Sequence, residues 1–430
     1  MTDLPGGPLL HWRRYKGMSG RMLAGIRPTF SVMVFRFTIG GEPVTISARS
    51  GSMSVMFGTY EVLTYDRGGR LWTLVRHGRA YRRGLNGQVL EKRHVNGALI
   101  RRRLSDAEAT DLIGLAAARM AALRNALASE ASARIGMNDA LNDVLEMLER
   151  AACFDAAVHR ADCATFARVY DPVGILPPDQ YLAVVLQATE GCSFNTCTFC
   201  DFYRDRRFRI KSPDEFRAHA RLVRAFLGDS LLMRRSIFLG EANALAAPTR
   251  RLEAFIEIAR EEIGALPVHA FLDALTGRKK SVEEYARLGM LGLKRVSIGL
   301  ESGHDPLLAF VQKPSSAADA AETVATLKQA GIAVSLIVLV GLGGDRFAAG
   351  HVVDTVALLN RMPLGAGDIV YFSTLVERAQ APYSARSAEA GIRPLDIAEL
   401  RAQRQAIVEG LRFGSSGPQI ATYDIHEFIY

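Results

Sequence analysis

The sequence predicts an α/β fold with a parallel sheet, preceded by a small basic β-rich module and a helical linker region. Three observations lead to this prediction. From residue 182 onward, apolar strand-like runs alternate with helical segments; residues 1–104 contain short β-branched or aromatic runs between glycine turns; and alanine-rich helical stretches lie between the two regions. With 430 residues, 49% of them hydrophobic, the chain can bury one large core or two to three ordinary ones.

The N-terminal module, residues 1–104, has the pattern of a small antiparallel sheet. Its runs, from FSVMVFRFTI through TYEVLTYD and RLWTLVRHG to ALIRRRL, are separated by Gly-Gly, Arg-Gly-Gly and two Asn-Gly pairs, at 86–87 and 96–97. Two-residue hairpin turns prefer Asn-Gly because both positions need a positive φ. We therefore expect consecutive strands to pair as hairpins.

The same module is strongly basic. Residues 1–103 carry 18 Lys and Arg against 5 Asp and Glu, a balance of +13, whereas residues 104–430 carry 35 against 40. With Phe37, Trp72 and Tyr81 interleaved, this charge could contact RNA or another polyanion. Because arginine is abundant throughout the chain and the segment matches no common RNA-binding motif, we favour packing on the rest of the protein, or recognition of an acidic protein or small anion, over nucleic acid.

The helical linker region extends to residue 180. Ser105 and Glu108 have the spacing of a capping box ahead of DLIGLAAARMAALRNAL, which predicts a helix that begins there. A second helical stretch is DALNDVLEMLERAACFDAAVHR, and its region contains Cys153 and Cys163, which we expect to be small buried hydrophobic side chains. VYDPVGILPPDQY, with its prolines and glycine, predicts a linker or docking strap before the next domain.

The third region predicts a parallel sheet. Six candidate strands are LAVVLQAT (182–189), SIFLG (236–240), VHAFLDA (268–274), RVSIGLES (295–302), AVSLIVLVG (333–341) and DIVYFSTL (368–375). Crossovers long enough for helices argue for parallel strands, and six units suit either a partial barrel or a doubly wound sheet. We assign residues 181–385 to this domain and residues 386–430 to a C-terminal helix and tail.

Ligands of parallel α/β folds bind at the carboxyl ends of the strands, so the residues that end or follow strands are candidate site residues. They are Cys192, Cys197 and Cys200; Gly240, Glu241 and Asn243; Asp273; Ser297, Gly299, Glu301 and Gly303; and Gly341, Gly343 and Gly344. Glu301 is a candidate for binding a ribose-like diol, since a buried carboxylate needs hydroxyl or cationic partners. The alternative role for Glu301 is to cap a following helix.

The stretch GCSFNTCTFC places three of the chain's five cysteines within nine residues. An odd number of cysteines, three of them clustered, indicates a reducing compartment and metal ligation rather than disulfides. A structural zinc site needs four ligands, and here it would need a remote histidine. Three thiolates on a four-iron cluster instead leave one iron open, which is typical of a site that binds a reactant.

Four segments, GCSFNTCTFC, Gly240-Glu241, KRVSIGLESG and VLVGLGG, resemble in sequence and order the cofactor-binding segments of radical S-adenosylmethionine (radical SAM) enzymes, over roughly Leu182 to Tyr383. The Cys-x4-Cys-x2-Cys spacing is similar to that of a subset of this family. The resemblance implies a partial (β/α)6 TIM-like barrel and a [4Fe–4S] cluster held by three cysteines, whose open iron binds S-adenosylmethionine. The metal ligands implied are Cys192, Cys197 and Cys200, and the cofactor-binding residues implied are Phe199, Gly240, Glu241, Ser297, Glu301, Gly341 and Gly343.

The resemblance also implies an activity: reductive cleavage of S-adenosylmethionine to methionine and a 5′-deoxyadenosyl radical, which abstracts hydrogen from an unidentified substrate. It further implies a reductant such as flavodoxin or ferredoxin. The alternative is a non-catalytic iron-sulfur electron carrier or sensor, but a carrier has no need for Glu241, Glu301 and a glycine-lined adenine slot. The substrate implied is a small or carrier-bound molecule, and the basic module would suit one that is anionic. RNA is the alternative substrate.

Several of these motifs also have a structural explanation. Glu241 could form an ordinary salt bridge, and Gly341 and Gly343 could form only a tight βα turn. The basic run RDRRFRIK could bind the cofactor carboxylate or a substrate phosphate, or be a solvated surface. Lys313 is singled out only by its position. The N-terminal module and the tail QIATYDIHEFIY are candidate lids, and we expect no auxiliary cluster.

Localisation follows from two further patterns. No run approaches 18 uncharged apolar residues, the length that predicts a membrane span. The N-terminus, MTDLPGGPLLHWRRYKG, lacks the basic flank, apolar run and small-residue site of a signal peptide. We therefore expect a cytoplasmic protein without a membrane span.

Overall fold

The computed structural model of the chain describes residues 13–15, 32–132, 139–378 and 381–430. These residues form two compact units. The first comprises the chain up to Asp171 with Ala225–Arg234 and Ile429–Tyr430, and the second comprises Pro172–Arg224 and Arg235–Phe428. Most of the N-terminal stretch without signal-peptide features, and the first two residues of FSVMVFRFTI, lie outside the described residues.

The first unit contains an antiparallel meander in which each strand pairs with the next along the chain. Its strands are β1 (Arg13–Tyr15), β2 (Val32–Ile39), β3 (Glu42–Ala48), β4 (Ser52–Phe57), β5 (Glu61–Asp66), β6 (Leu71–Arg76), β7 (Arg79–Arg83), β8 (Val89–Val95) and β9 (Ala98–Arg103). The predicted Asn-Gly turn joins β8 to β9, with φ of 50° at Asn96 and 79° at Gly97. The sequence analysis missed β4, although Met53, Val55 and Phe57 are buried at every second position.

Three helices follow the meander: α1 (Asp106–Ser132), α2 (Asp139–Cys153) and α3 (Ala156–Val169). The predicted capping box is confirmed, since the N–H of Ser105 donates to Glu108 Oε2 at 2.8 Å and the N–H of Glu108 donates to Ser105 Oγ at 3.3 Å. Apolar side chains of the sheet pack with those of α1 and α2 in one core, which includes Ile46, Met120 and Leu148.

The two cysteines of this helical region differ in exposure. Cys153 is exposed, so the expectation that it is buried is wrong; its thiol donates to Glu149 Oε1 at 3.3 Å. The physical reason is its position on the last turn of α2, two residues after the buried Ala151 and therefore on another face of the helix. Cys163 is half-buried, with its thiol 3.8 Å from His159 Nδ1.

The second unit contains a parallel sheet and a short hairpin-like pair. Its strands are β10 (Ala183–Gln187), β11 (Thr189–Glu190), β12 (Arg209–Ile210), β13 (Ser236–Gly240), β14 (Val268–Phe271), β15 (Leu293–Glu301), β16 (Ala333–Val340), β17 (Ile369–Thr374) and β18 (Gln419–Thr422). Within the described ranges, β10 and then β13 to β18 form one parallel sheet in chain order, and β11 pairs antiparallel with β12. All six predicted strands are confirmed. Strands β10 and β13 are buried at every position, as expected for strands covered on both faces.

Helices alternate with these strands, as the predicted partial barrel requires. They are α4 (Pro213–Leu227), α5 (Thr249–Glu262), α6 (Ala274–Gly277), α7 (Val282–Leu291), α8 (Asp305–Phe310), α9 (Ala317–Gln329), α10 (Gly344–Arg361), α11 (Tyr383–Glu389) and α12 (Ile397–Gly410). The α/β barrel class predicted from the sequence is confirmed. Among the helices that the structure describes, none has both the length and the apolar character needed to cross a membrane.

Strand β18 is the main difference from the predicted topology, because the sequence predicts only a helix and a tail after residue 385. Helix α12 is present, but Gln419–Thr422 also add a seventh strand beside β17, with Thr422 opposite Phe372. The residues of β18 are mostly exposed and carry no alternating apolar pattern. This strand is therefore defined by its pairing with β17 and not by the pattern of its own side chains.

From Pro172 onward, the predicted strap belongs to the second unit and packs there. Asp179 accepts hydrogen bonds from the hydroxyl of Tyr371 at 2.8 Å and from Arg295 Nη1 at 2.7 Å. The carbonyl of Leu176 accepts a hydrogen bond from the hydroxyl of Tyr423 at 2.6 Å. The strap is therefore tied to β15, to β17 and to the segment that follows β18.

Candidate functional site

A cavity of about 1190 Å³, including its open mouth, lies at the carboxyl ends of the barrel strands. Its wall contains the three clustered cysteines, Cys192, Cys197 and Cys200, together with Phe199 and Glu301. These residues come from the loop after β11 and from the end of β15. The topology thus brings together side chains that are separated by a hundred residues of sequence, at the edge where parallel α/β folds bind ligands.

The loop that carries the cysteines begins at a glycine that no other residue could replace without strain. Gly191 has a φ of 71°, and a Cβ at this position would lie 3.0 Å from the carbonyl carbon and oxygen of Arg207. Its N–H donates to Glu241 Oε2 at 2.6 Å. The position of Cys192, the next residue, is therefore set by a buried carboxylate at the end of β13.

The remainder of the cysteine loop is held by bonds to its backbone. The guanidinium of Arg204 donates to the carbonyls of Cys197 and Cys200, each at 2.9 Å. Asn195, in the left-handed region with a φ of 55°, donates through its side-chain amide to the carbonyl of Tyr203 at 2.9 Å. Because these bonds use backbone atoms, all three thiols remain available as ligands.

The three thiols suit an iron-sulfur cluster in donor chemistry, since cysteine thiolates are the usual ligands of such clusters. Among the described residues, no group of three or more His, Cys, Asp and Glu is arranged to hold a single metal ion. A polynuclear cluster does not need that convergence, because each thiolate binds a different iron. Burial raises the pKa of Cys197 to about 11 and that of Cys200 to about 12, so both thiols must release protons when they bind metal.

Alkylation of the metal-free folded protein tests this description of the thiols. At pH 7.5 we expect iodoacetamide to modify Cys197 and Cys200 at least about a hundredfold more slowly than a free thiol, because only the thiolate reacts. The rates should rise about tenfold per pH unit up to about pH 10. Mass spectrometry of the modified peptides measures them, with the urea-unfolded chain as the control. Rates equal to those of the unfolded chain would contradict the buried placement.

Glu241 is buried and already has several protein partners. Its Oε1 accepts hydrogen bonds from Gln187 Nε2 and Arg206 Nη1, both at 2.8 Å, and its Oε2 accepts from Gly191. The structural explanation for Glu241 thus has direct support, while the role in cofactor binding that the resemblance implies remains a prediction. The neighbouring Asn243 lines the cavity.

Asn243 joins three parts of the site. Its amide nitrogen donates to Ser193 Oγ at 2.8 Å and to Thr276 Oγ1 at 3.1 Å, and its amide oxygen accepts from the N–H of Asp273 at 3.2 Å. The cysteine loop is therefore connected through one side chain to the ends of β13 and β14. Asn243 was among the strand-end candidates, but no sequence pattern indicated a role for it.

The end of β15 directs Glu301 into the cavity. The pairing with β16 shifts register between Gly299 and Glu301, and Glu301 has a φ of 60°. Irregularities of this kind re-aim a side chain and are frequent next to active sites. A Cβ at Gly299 would lie 2.4 Å from Glu301 Oε1 and 3.4 Å from Lys313 Nζ, so only glycine leaves room for this pair.

Four other predicted cofactor residues, Gly240, Ser297, Gly341 and Gly343, are not among the residues that line this cavity. Ser297 shares a hydrogen bond of 2.7 Å with Ser335 on the adjacent strand, and Gly240 ends β13. Gly341 and Gly343 have φ of 87° and 81°. A side chain at either glycine would collide with the protein. A Cβ would lie 2.6 Å from Leu400 at position 341 and 2.5 Å from Leu307 at position 343. The role of these residues in cofactor binding remains a prediction.

Phe199, one of the cofactor-binding residues that the resemblance implies, lies in an apolar part of the cavity wall. It contacts a buried apolar cluster that includes Leu307, Leu342 and Tyr383. The hydroxyl of Tyr383 accepts a hydrogen bond from the N–H of Gly343 at 2.7 Å. Phe199 is therefore supported by apolar side chains, and its ring offers a surface that suits a planar base.

The basic run after Cys200 has partners within the protein. Arg204 holds the cysteine loop, Arg206 pairs with Glu241, and Arg209 pairs with Glu190 at 2.6 Å. Lys211 donates to the carbonyl of Gln187 at 3.0 Å. These bonds show a role in positioning the cysteine loop, which the sequence analysis did not consider.

The cavity wall also contains residues that the sequence analysis did not single out, among them Ile175 and Tyr423. Ile175 comes from the strap and Tyr423 follows β18, and both line the cavity. They pack with Phe271 and Ile337 in an apolar cluster. Neither belongs to a motif; only the short distance between the strap and the C-terminal segment, which is a tertiary feature, reveals them.

Comparison with known proteins identifies one domain. The family model described as the Radical SAM superfamily matches residues 186–355. No curated protein sequence matches the chain.

Several solved structures are similar over part of the chain. Methylornithine synthase (PylB) aligns with a TM-score of 0.38 and 15% identity over 56% of this chain and 72% of its own. The FeFe-hydrogenase maturase HydG from Carboxydothermus hydrogenoformans aligns with a TM-score of 0.37 and 14% identity over 74% and 76%. Coproporphyrinogen III oxidase (HemN) from Escherichia coli aligns with a TM-score of 0.36 and 13% identity over 54% and 52%. At these scores the three structures do not bear on the substrate of this chain.

Proposed function

This chain belongs to the radical SAM superfamily through residues 186–355, and on that premise we propose that it binds a [4Fe–4S] cluster, cleaves S-adenosylmethionine reductively and abstracts hydrogen from its substrate. The observation that carries the proposal is the cavity itself. Three cysteine thiols and the carboxylate of Glu301 line one cavity at the carboxyl ends of the strands. An electron carrier would need the thiols but not the carboxylate.

Cys192, Cys197 and Cys200 would hold the cluster, and its fourth iron would be left for the cofactor. When bound, the cluster and S-adenosylmethionine supply one-electron cleavage of the sulfonium and a 5′-deoxyadenosyl radical that removes a hydrogen atom. An external one-electron donor such as flavodoxin or ferredoxin would provide the electron. The protein's own part is to position these groups and to exclude water.

The residues of the chain have distinct parts in that positioning. Arg204 and Glu241 bind the backbone of the cysteine loop at two places and so position its thiols. Phe199 offers an aromatic face for the adenine, and Glu301, directed inward by the irregular end of β15, would accept hydrogen bonds from the ribose hydroxyls. Gly341 and Gly343 would allow close approach of the adenine.

The substrate is proposed to be a small or carrier-bound molecule with an apolar part. Ile175, Phe271, Ile337 and Tyr423 form an apolar part of the cavity wall, contributed by the strap, two strands and the C-terminal segment. Such a wall favours an apolar group because it offers few polar partners. RNA remains the alternative substrate, for which the support is the charge of the N-terminal module.

An anaerobic assay tests the function. Reconstituted protein is incubated with S-adenosylmethionine and dithionite, and 5′-deoxyadenosine is followed by chromatography. We expect product from the intact chain and none from the variant in which Cys192, Cys197 and Cys200 are all replaced by alanine. The matched control is Cys153→Ala, because this exposed thiol lies in the first unit. Absence of product from protein that carries a full four-iron cluster, with candidate substrates present, would favour the carrier or sensor instead.

A further inference from the structure

A cation flanked by two carboxylates lies in the cavity beside the cysteines. Lys313 Nζ is 3.5 Å from Glu301 Oε1 and 3.6 Å from Asp273 Oδ2, and all three residues line the cavity. The three side chains are only 10 to 12% exposed. Both distances exceed those of a close hydrogen bond, so the ammonium is shared between the carboxylates rather than engaged tightly by either.

Backbone bonds hold Lys313 next to the cysteine loop. The N–H and the hydroxyl of Thr198 donate to the carbonyl of Val311 at 2.9 and 3.3 Å, and the hydroxyl of Thr196 donates to the carbonyl of Gln312 at 3.2 Å. Thr196 and Thr198 flank Cys197, and Val311 and Gln312 directly precede Lys313. The hydrogen bonds to these two successive carbonyls thus place the backbone of Lys313 beside the central cysteine, independently of the lysine side chain.

The ammonium remains charged in this environment. Burial alone would lower the pKa of Lys313, but the carboxylates of Glu301 and Asp273, with a smaller effect from the thiols, raise it above its ordinary value. The pKa of Glu301 is raised by burial, an effect that Lys313 partly offsets. A fixed positive charge therefore lies close to the place where the thiolates would bind iron.

We propose that Lys313 sets the reduction potential of the cluster, with Asp273 limiting the effect of its charge. The proposal rests on the proposed function, because it assumes that the three cysteines hold a [4Fe–4S] cluster. A cluster with three thiolates is anionic and gains one more negative charge when it accepts an electron from the external reductant. A nearby cation stabilises the reduced form more than the oxidised form, and an anion does the reverse. Lys313 would therefore act on the reaction indirectly, through the effect of its charge on the cluster.

The two charges predict shifts of opposite sign. Lys313→Met should lower the ratio of reduced to oxidised cluster at a fixed potential about tenfold, which corresponds to about 59 mV for one electron. Asp273→Asn should raise the same ratio, because it removes a negative charge and leaves the ammonium less compensated. Lys313→Arg keeps the charge and should leave the potential close to that of the unchanged protein.

An anaerobic redox titration followed by electron paramagnetic resonance tests the proposal. Reconstituted full-length protein and the three variants are titrated with dithionite and mediators, without S-adenosylmethionine, so that cofactor binding does not contribute. Opposite shifts in Lys313→Met and Asp273→Asn support the proposal, and unchanged potentials, or shifts of the same sign, overturn it. If Lys313→Met does not fold or load iron, Asp273→Asn decides by itself. An unchanged chain that shows no four-iron signal would instead refute the proposed function.

Discussion

Replacing Glu241 with alanine is expected to lower the free energy of unfolding of the barrel unit by about 3–5 kcal/mol and to prevent retention of a cluster. The carboxylate is nearly buried, at 5% exposure, and pairs with Arg206, whose side chain is 14% exposed. Its removal leaves a largely buried guanidinium without this partner and the N–H of Gly191 without its acceptor. The first cysteine of the loop would then lose the bond that positions it.

Chemical denaturation and iron analysis of the reconstituted protein measure these two effects. Glu253→Ala is the matched control, because it makes the same substitution at an ion pair with Arg287 on the helical surface, where about 1 kcal/mol or less is expected. Glu241→Gln keeps the shape of the side chain and removes only its charge, so its loss of stability should lie between those of Glu241→Ala and Glu253→Ala. Full cluster content in Glu241→Ala, with stability equal to that of Glu253→Ala, would show that the carboxylate does not hold the loop.

Replacing Tyr423 with alanine is expected to cost about 3–5 kcal/mol of stability and to change substrate binding. The residue is 3% exposed, its ring lies 5.7 Å from that of Tyr371, and its hydroxyl donates to the carbonyl of Leu176. Alanine would leave a void in the apolar wall of the cavity and release the strap from the C-terminal segment. Cofactor binding should change less, because the cysteines and Glu301 belong to other elements.

Thermal or chemical unfolding of Tyr423→Ala and Tyr423→Phe separates the contribution of the ring to stability from that of the hydroxyl. The phenylalanine variant removes only the hydroxyl, so about 1–3 kcal/mol is expected for the unpaired buried carbonyl. Titration of S-adenosylmethionine into both variants checks that the cofactor site is intact. An alanine variant as stable as the phenylalanine variant would mean that the ring does not support the cavity wall.

The barrel strands and the candidate cluster ligands could be predicted from the residues alone. The six strands are long apolar or alternating runs, and burial on both faces leaves that pattern in the residues of each strand, as in β10 and β13. Cys192, Cys197 and Cys200 are close along the chain, so their spacing alone indicates one site. The capping box at Ser105 was equally readable, because both of its hydrogen bonds span three residues.

The distant residues that complete the candidate site could be recognised only once the fold was known. Lys313 and Asp273 are far apart in sequence. The bonds from Thr196 and Thr198 to the carbonyls before Lys313 bring the lysine to the cysteines, and Asn243 links Asp273 to the cysteine loop. Strand β18 and Tyr423 were not predicted because an exposed edge strand carries no apolar signal of its own. The local sequence pattern indicates which side chains of a segment are buried. The position of that segment in the fold depends on long-range pairing, which only the tertiary structure shows.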